Sequence, residues 1–451
     1  MTSFKRFTDG PRPWLAAGII ILLIWAGWWA GSVLAHPLPR LLSGSATHPD
    51  RGITSMLIWP FLGLDFHHNY AAVSSWLHGA NPYVHISGDP MNDNYIYPPL
   101  TLVAFLWVGL LPPESVSTRL AIPRPQGDFT FSVCFPAIFL WMAMIVLIVG
   151  FAAWRSWRVR QRLELPVLPL PFLLAAALIS YPVMFELERG NCDVLPLLAI
   201  AALCIALESR RRLAGDLIAG LCAAVAAGIK PYAVILILGL VVLRRYRAAG
   251  MGVGAFALLI VALRSLFVPW FGIFRASAEL QTAGYMDFSH SLVVHWPLIW
   301  TDLGLPGVAR VPAVPVVGSV VLAAILWVSW RIFQARPPAA VGWPYLLWLT
   351  ATATLFSSVA HDYGLIFLPL AVLAAWDRRD PWRTQLCLLP MLLWWQPLYL
   401  GLHGLPWLLL KVASILLIGQ LIRRRTEENS APAIQAAGSG GGARPESAVP
   451  A

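Results

Sequence analysis

The stretch FLGLDFHHNYAAVSSWLHGANPY (residues 61–83) sets Asp65 beside His67 and His68, in a chain that carries few charges. A carboxylate among imidazoles is equipment for moving protons between oxygens. Other polar clusters interrupt the apolar sequence: NDNYIYPP (92–99), FELERGN (185–191), GIKPY (228–232) and HDY (361–363). Together they supply carboxylates (Asp65, Glu186, Glu188, Asp362), cations (Arg189, Lys230), the imidazole of His361 and the amide of Asn191. Such a set suits a carboxylate base acting with cations that stabilise an anionic leaving group. Each cluster also has a plainer reading. Asp65 fits a helix start, where free N–H groups favour a carboxylate. His67 and His68 fit a wet interface, and Tyr95 and Tyr97 fit the headgroup layer. Glu and Arg near 186–189 can satisfy one another, Lys230 can snorkel, and HDY can cap a helix.

The elements that must position these residues are helices in a membrane. Of 451 residues, 58% are hydrophobic and 12% charged, with a mean hydropathy of +0.68. A soluble domain is roughly a quarter charged. Candidate spans are 14–34, 129–153, 165–182, 192–208, 213–228, 231–243, 249–267, 313–333, 341–359, 362–376, 384–400 and 404–422, twelve in all. Several are shorter than the roughly 20 residues a span needs. The first reads as a retained span rather than a cleaved signal, because its apolar core is long enough to cross. The expected fold is therefore an all-α polytopic bundle of about twelve transmembrane helices, with amphipathic helices on its outer face. Residues 1–13 form a cytoplasmic N-terminus, 14–422 the membrane domain, and 423–451 a cytoplasmic tail whose low apolar content predicts disorder.

Charge sets the sides. The net charge of +10 is concentrated in RSWRVRQR (155–162), ESRRR (208–212), RRYR (244–247), DRRD (377–380) and RRR (423–425). Short basic caps beside apolar runs orient helices toward the cytoplasm; with no aromatic-interleaved basic groove, they do not read as a nucleic-acid surface. All five caps share one side only if 98–111 (PPLTLVAFLWVGLL) does not cross but lies at the interface or re-enters. The regions 35–128 and 268–312, with the turns around 185–193, 228–232 and 358–364, then face outward. A helical apolar stripe of Phe66, Tyr70, Val73 and Leu77 predicts an amphipathic helix along that outer surface. The cysteines (134, 192, 204, 222, 387) are scattered and form no CxxC pair, so they read as small core residues.

The ordered series of Asp65, GANPY, YPP, ERGN, GIKPY and HDY resembles the polyprenyl-phosphate-dependent glycosyltransferases of family 87, within the GT-C superfamily. Mannosyltransferases that extend phosphatidylinositol mannosides in mycobacteria are among its members. The resemblance covers about residues 14–422 and implies a GT-C-like bundle with its active site away from the cytoplasm, in a bacterial inner membrane. It implies Asp65 as catalytic base and His361 as its catalytic companion. It implies donor or acceptor contacts from Glu188, Arg189, Asn191, Lys230, Tyr97, Asp362 and Tyr363. Arg189 departs from the family pattern, where glutamine is common. The partners implied are a polyprenyl-phosphate sugar donor, mannose first, a lipid or glycan acceptor, and membrane lipids. No cofactor is required, although Asp65 with Glu188 offers a place for a divalent metal. A transporter or flippase of lipid-linked or small anionic substrates is the competing reading, weakened by an inner side that shows only orienting arginines.

Overall fold

Apolar runs punctuated by Pro, Gly and paired arginines dictate a chain of helices, and a computed structural model arranges them. It describes residues 15–24, 26–27, 63–84, 95–110, 117–122, 129–166, 168–280, 314–335, 338–357, 362–377 and 405–439. The helices are α1 (Leu15–Ile24), α2 (Leu64–Leu77), α3 (Pro99–Ala104), α4 (Phe135–Arg162), α5 (Leu170–Leu178), α6 (Tyr181–Arg189), α7 (Val194–Leu207) and α8 (Arg212–Ile229). They continue as α9 (Ile235–Val242), α10 (Tyr246–Ala262), α11 (Arg264–Leu280), α12 (Val314–Ala335), α13 (Gly342–Thr354), α14 (Phe367–Ala375) and α15 (Leu405–Ser439). A two-stranded antiparallel hairpin, β1 (Ser117–Ile122) with β2 (Phe129–Cys134), precedes α4 and pairs Ser117 with Cys134.

The centre is built on small residues. One face of α8 presents Gly215, Ala219, Gly220, Ala223 and Ala227, all buried. A methyl group added at Gly220 would meet the Ala248 carbonyl at 2.7 Å, so α8 and α10 pack backbone to backbone there. α7 and α8 run antiparallel, and α4 packs against α5, α7 and α14. Trp141, Trp343 and Trp348 are fully buried between these layers. Their indole N–H groups find Gly190 O, Ser156 Oγ and Ile415 O respectively, as buried donors must.

Four of the basic caps, 155–162, 208–212, 244–247 and 423–425, meet at one end of these helices; of the fifth, only Asp377 is among the described residues. Arg155 and Arg162 both pair with Glu208. Arg245 donates to Leu207 O at 2.8 Å, Arg160 to Leu373 O at 3.1 Å, and Arg425 to Ala375 O at 3.0 Å. These guanidinium groups satisfy carbonyls that the ends of α7 and α14 leave without helical partners.

Several expected elements differ. Among the described residues two helices, Ala137–Arg162 and Arg212–Ile229, are long and apolar enough to cross a membrane. The count is three if the pair Tyr246–Ala262 and Arg264–Phe274, bent by 95°, is one span. Twelve spans are not seen among the described residues: many apolar runs are broken into helices of 8–14 residues, and 384–400 lies outside the described residues. The run 165–182 splits at Ser180, where Pro182 opens a new helix. Residues 129–134 pair in the hairpin, and helix begins only at Phe135. Segment 98–111 holds two short helical pieces, Pro99–Ala104 and Leu106–Leu110, and at about 1.5 Å per residue neither approaches a membrane's width. Helix α2 is not a surface helix: Asp65, Phe66, His67, His68, Asn69, Ala72 and Val73 are all buried, while Leu77, expected on its apolar stripe, is exposed. The tail expected to be disordered from 423 continues α15 to Ser439, helped by Arg423–Glu427 and Arg425–Glu428 pairs one turn apart.

Candidate functional site

At the end opposite the arginines, four chain segments converge on one polar network. Asp65 sits in the first turn of α2 and is 1% exposed. Its carboxylate does not cap that helix; Gly63 occupies the cap position with no side-chain bond. Instead Asp65 Oδ1 accepts from Arg189 Nη2 at 2.7 Å, and Oδ2 accepts from Asn191 Nδ2 at 2.6 Å. The same amide nitrogen lies 3.0 Å from Tyr97 Oη. Asn191 Oδ1 accepts from Lys230 Nζ at 3.1 Å and from the Cys192 backbone N–H at 2.6 Å. Lys230 Nζ stands 3.3 Å from Asp193 Oδ2 and 4.8 Å from the Tyr97 ring centre. The Tyr232 hydroxyl donates to the other oxygen of Asp193. Asn191 thus joins the Asp65 carboxylate to the Lys230 ammonium.

The local sequence explains the turn that carries Arg189 and Asn191. Helix α6 ends at Gly190, whose φ of +61° is a left-handed conformation that side chains resist. A Cβ there would also lie 2.9 Å from Phe66 Cβ, so glycine lets α2 seat against the turn. Lys230 closes α8 in an extended conformation, with Pro231 opening the next short turn. The long side chain returns along the bundle to Asp193, which heads α7.

The aromatic floor comes from the 95–97 segment. Tyr95 and Tyr97 are 0% and 7% exposed, so they are buried rather than placed as headgroup anchors. Tyr95 donates to Asn69 Oδ1 at 2.6 Å, and Asn69 donates to Asp65 O at 2.7 Å, tying this floor to α2. His68 packs against both tyrosine rings, and His67 meets the Phe66 ring edge-on. Neither histidine is the wet interfacial residue expected, because α2 packs inward on most of its circumference.

Burial and charge together set the electrostatics. Burial lowers the His67 pKa to about 3, so its imidazole is neutral at ordinary pH. Burial, then the neighbouring Asp193 carboxylate, pushes Glu186 well above the ordinary carboxylate range; its Oε1 accepts the Val194 N–H at 3.2 Å. For Lys230 burial alone acts downward, but Asp193 first among its charged neighbours reverses it and holds the pKa above the usual lysine value.

Of the residues singled out by sequence, Asp65, Tyr97, Arg189, Asn191 and Lys230 share this network. Asp362 and Tyr363 fall in the turn Asp362–Leu365, which packs on α6; their side chains, like that of Glu188, lie outside the described residues. His361 lies outside them as well. Lys230 does not snorkel; it is 8% exposed and faces inward. Asp193 and Tyr232 went unassigned in the sequence reading. A signal was present: a lysine without an orienting role demands a carboxylate, and Asp193 stands two residues after Asn191. For the metal place suggested at Asp65 and Glu188, only the Asp65 side chain is described, and the described residues hold no group of three or more His, Cys, Asp or Glu arranged to bind a metal.

The comparisons with known proteins bear on what such a network is for. The family model described as Glycosyltransferase family 87 matches residues 95–358, more than half of the chain. The chain belongs to glycosyltransferase family 87. The curated proteins and the solved structures gave no match. The matched region of this family 87 protein contains Tyr97, Arg189, Asn191, Asp193, Lys230 and Tyr232, while Asp65 and the Asp362–Leu365 turn lie beyond it. Membership decides for sugar transfer over the transport reading.

Proposed function

We propose that this protein is an inverting hexosyltransferase of a bacterial cytoplasmic membrane, with its site on the non-cytoplasmic face. It moves a sugar, mannose first, from polyprenyl phosphate to a hydroxyl of a lipid-linked or glycan acceptor. The observation that carries this reading is the Asp65 carboxylate, fixed on both oxygens by Arg189 and Asn191 within reach of the Lys230 charge. A carboxylate has about four acceptor sites, so two hydrogen bonds orient it and still leave lone pairs for an incoming proton.

In the proposed step an acceptor hydroxyl attacks the anomeric carbon while its proton passes to Asp65. The bond from that carbon to the phosphate oxygen breaks, and the polyprenyl phosphate leaves as an anion. A phosphate needs electrostatic stabilisation rather than a proton. Arg189 suits that task better than Lys230, because its side chain is 19% exposed while Lys230 is committed to Asp193 and Asn191. Lys230 then acts at one remove, holding Asn191 and through it the carboxylate. His361 remains a catalytic candidate for stabilising the leaving phosphate; Asp362 and Tyr363, in the turn that packs on α6, and Glu188 on α6 remain candidates for donor or acceptor contact.

The test is to incubate purified protein with a panel of polyprenyl-phosphate sugars and lipid acceptors and identify products by mass spectrometry. Asp65→Asn should lower turnover by about 10²–10⁴-fold, the range of a lost general base. Near-normal transfer by folded Asp65→Asn protein would remove Asp65 from the mechanism.

A further inference from the structure

Helices α7 and α8 carry the Asp65 network at one end and a basic recess at the other. There the end of α7 and the starts of α8 and α10 meet the turn Ala339–Val341 around a cavity of about 610 Å³. Arg162, Arg210, Arg212 and Arg245 line it, and Glu208 is the one carboxylate in its wall. Glu208 is already shared by Arg162 and the buried Arg155, and Asp216 lies 3.7 Å from Arg245. Arg210 and Arg212 have no carboxylate partner among the described residues, so the recess holds surplus positive charge. Helices α8 and α10, of 18 and 17 residues, both begin at its rim without side-chain caps, and their free N–H groups add to that potential. Orienting helices in a membrane requires only scattered basic residues near the surface. Here they line one open recess.

The wall beside the recess is apolar. Leu213, Leu217 and Leu221 on α8 are 63%, 46% and 45% exposed and recur every four residues, starting next to Arg212. We propose that this recess binds the phosphate of an anionic phospholipid, whose acyl chains lie along the leucine stripe. Arginine forks match phosphate oxygens in pairs, which is the chemistry any phosphate ligand would use. The leucine stripe is what selects the lipid source over a soluble phosphate. The proposal does not depend on the reaction assigned to the other end.

The test uses the full chain in detergent and native mass spectrometry, titrated separately with phosphatidylglycerol, phosphatidylcholine and inorganic phosphate. Wild type should retain phosphatidylglycerol in preference to phosphatidylcholine. The variant R210Q/R212Q, altered only at exposed positions, should lose about ten- to thirtyfold in that retention, since each basic residue near an anionic lipid contributes about fivefold. L213S/L217S leaves every arginine in place and should also weaken retention, which keeps the proposal testable if the arginine variant folds poorly. Unchanged phosphatidylglycerol binding in both variants would overturn the site. Displacement of bound lipid by millimolar inorganic phosphate would overturn the lipid source.

Discussion

A carboxylate with two fixed donors and an ammonium one residue further on is a tightly coupled set, and its parts answer differently to mutation. Removing one partner of a buried charge pair leaves the other unpaired, at a cost of about 3–5 kcal/mol. Lys230→Met should therefore destabilise strongly by stranding Asp193, and Lys230→Met with Asp193→Asn should recover much of the loss; thermal melts of both single variants and the double close the cycle. Additive losses would mean that the pair does not interact. Glu186 has a different pH signature. Its folded pKa lies above the ordinary value of 4.5, so above that pH the unfolded chain has released a proton that the folded chain keeps. Stability then falls as pH rises from 4.5 toward the folded pKa. Glu186→Gln keeps an acceptor for the Val194 N–H and has no proton to lose, so its melting temperature should exceed wild type at about pH 8 and converge with it near pH 4. His67 runs the other way: with its pKa lowered from 6.5 to about 3, it destabilises the fold as pH drops through that window. At this scale the sequence was informative about identities. Asp65, Arg189, Asn191 and Lys230 stood out because a low-charge chain had no orienting use for them. Asp193 carries no distinguishing pattern of its own in the sequence, and only the position of Lys230 gives it a role.

At the scale of elements, the turn from α6 to α7 positions the site. Gly190 combines a left-handed backbone with contact against Phe66, so Gly190→Ala meets strain and overlap together. A left-handed residue costs about 1–2 kcal/mol before any clash. The variant should melt lower and lose transfer activity more than that loss of stability explains, because Arg189 and Asn191 flank the turn. Equal activity per folded molecule would show that the turn's conformation does not set the site. The sequence located this turn from ERGN but misjudged α2. Its spacing predicted one apolar stripe on a surface helix, whereas the bundle buries His67, His68 and Asn69 as well. Periodicity reports apolar residues; a face of histidines and asparagine buried against tyrosines leaves no such trace.

For the whole molecule, the decisive arrangement is two ends of opposite character. Helices α7 and α8 join them over 14 and 18 residues, roughly 20–27 Å at the helical rise. If that separation crosses a bilayer, an impermeant thiol reagent should label a cysteine at exposed Ala80 from one side and at exposed Ser209 only from the other. Labelling of both from one side would place the two ends together and end the proposed topology.

Composition and charge periodicity by themselves determined that this chain forms apolar helices, that its arginine caps gather together, and which polar residues needed an explanation. Those properties are carried by local runs, and local runs are what a sequence displays. Only the tertiary structure decided that Asn191 links Asp65 to Lys230, that Asp193 receives the lysine, and that many apolar runs break into short helices. The first two outcomes depend on contacts between segments tens to more than a hundred residues apart, where the pairing of buried charge overrides local pattern.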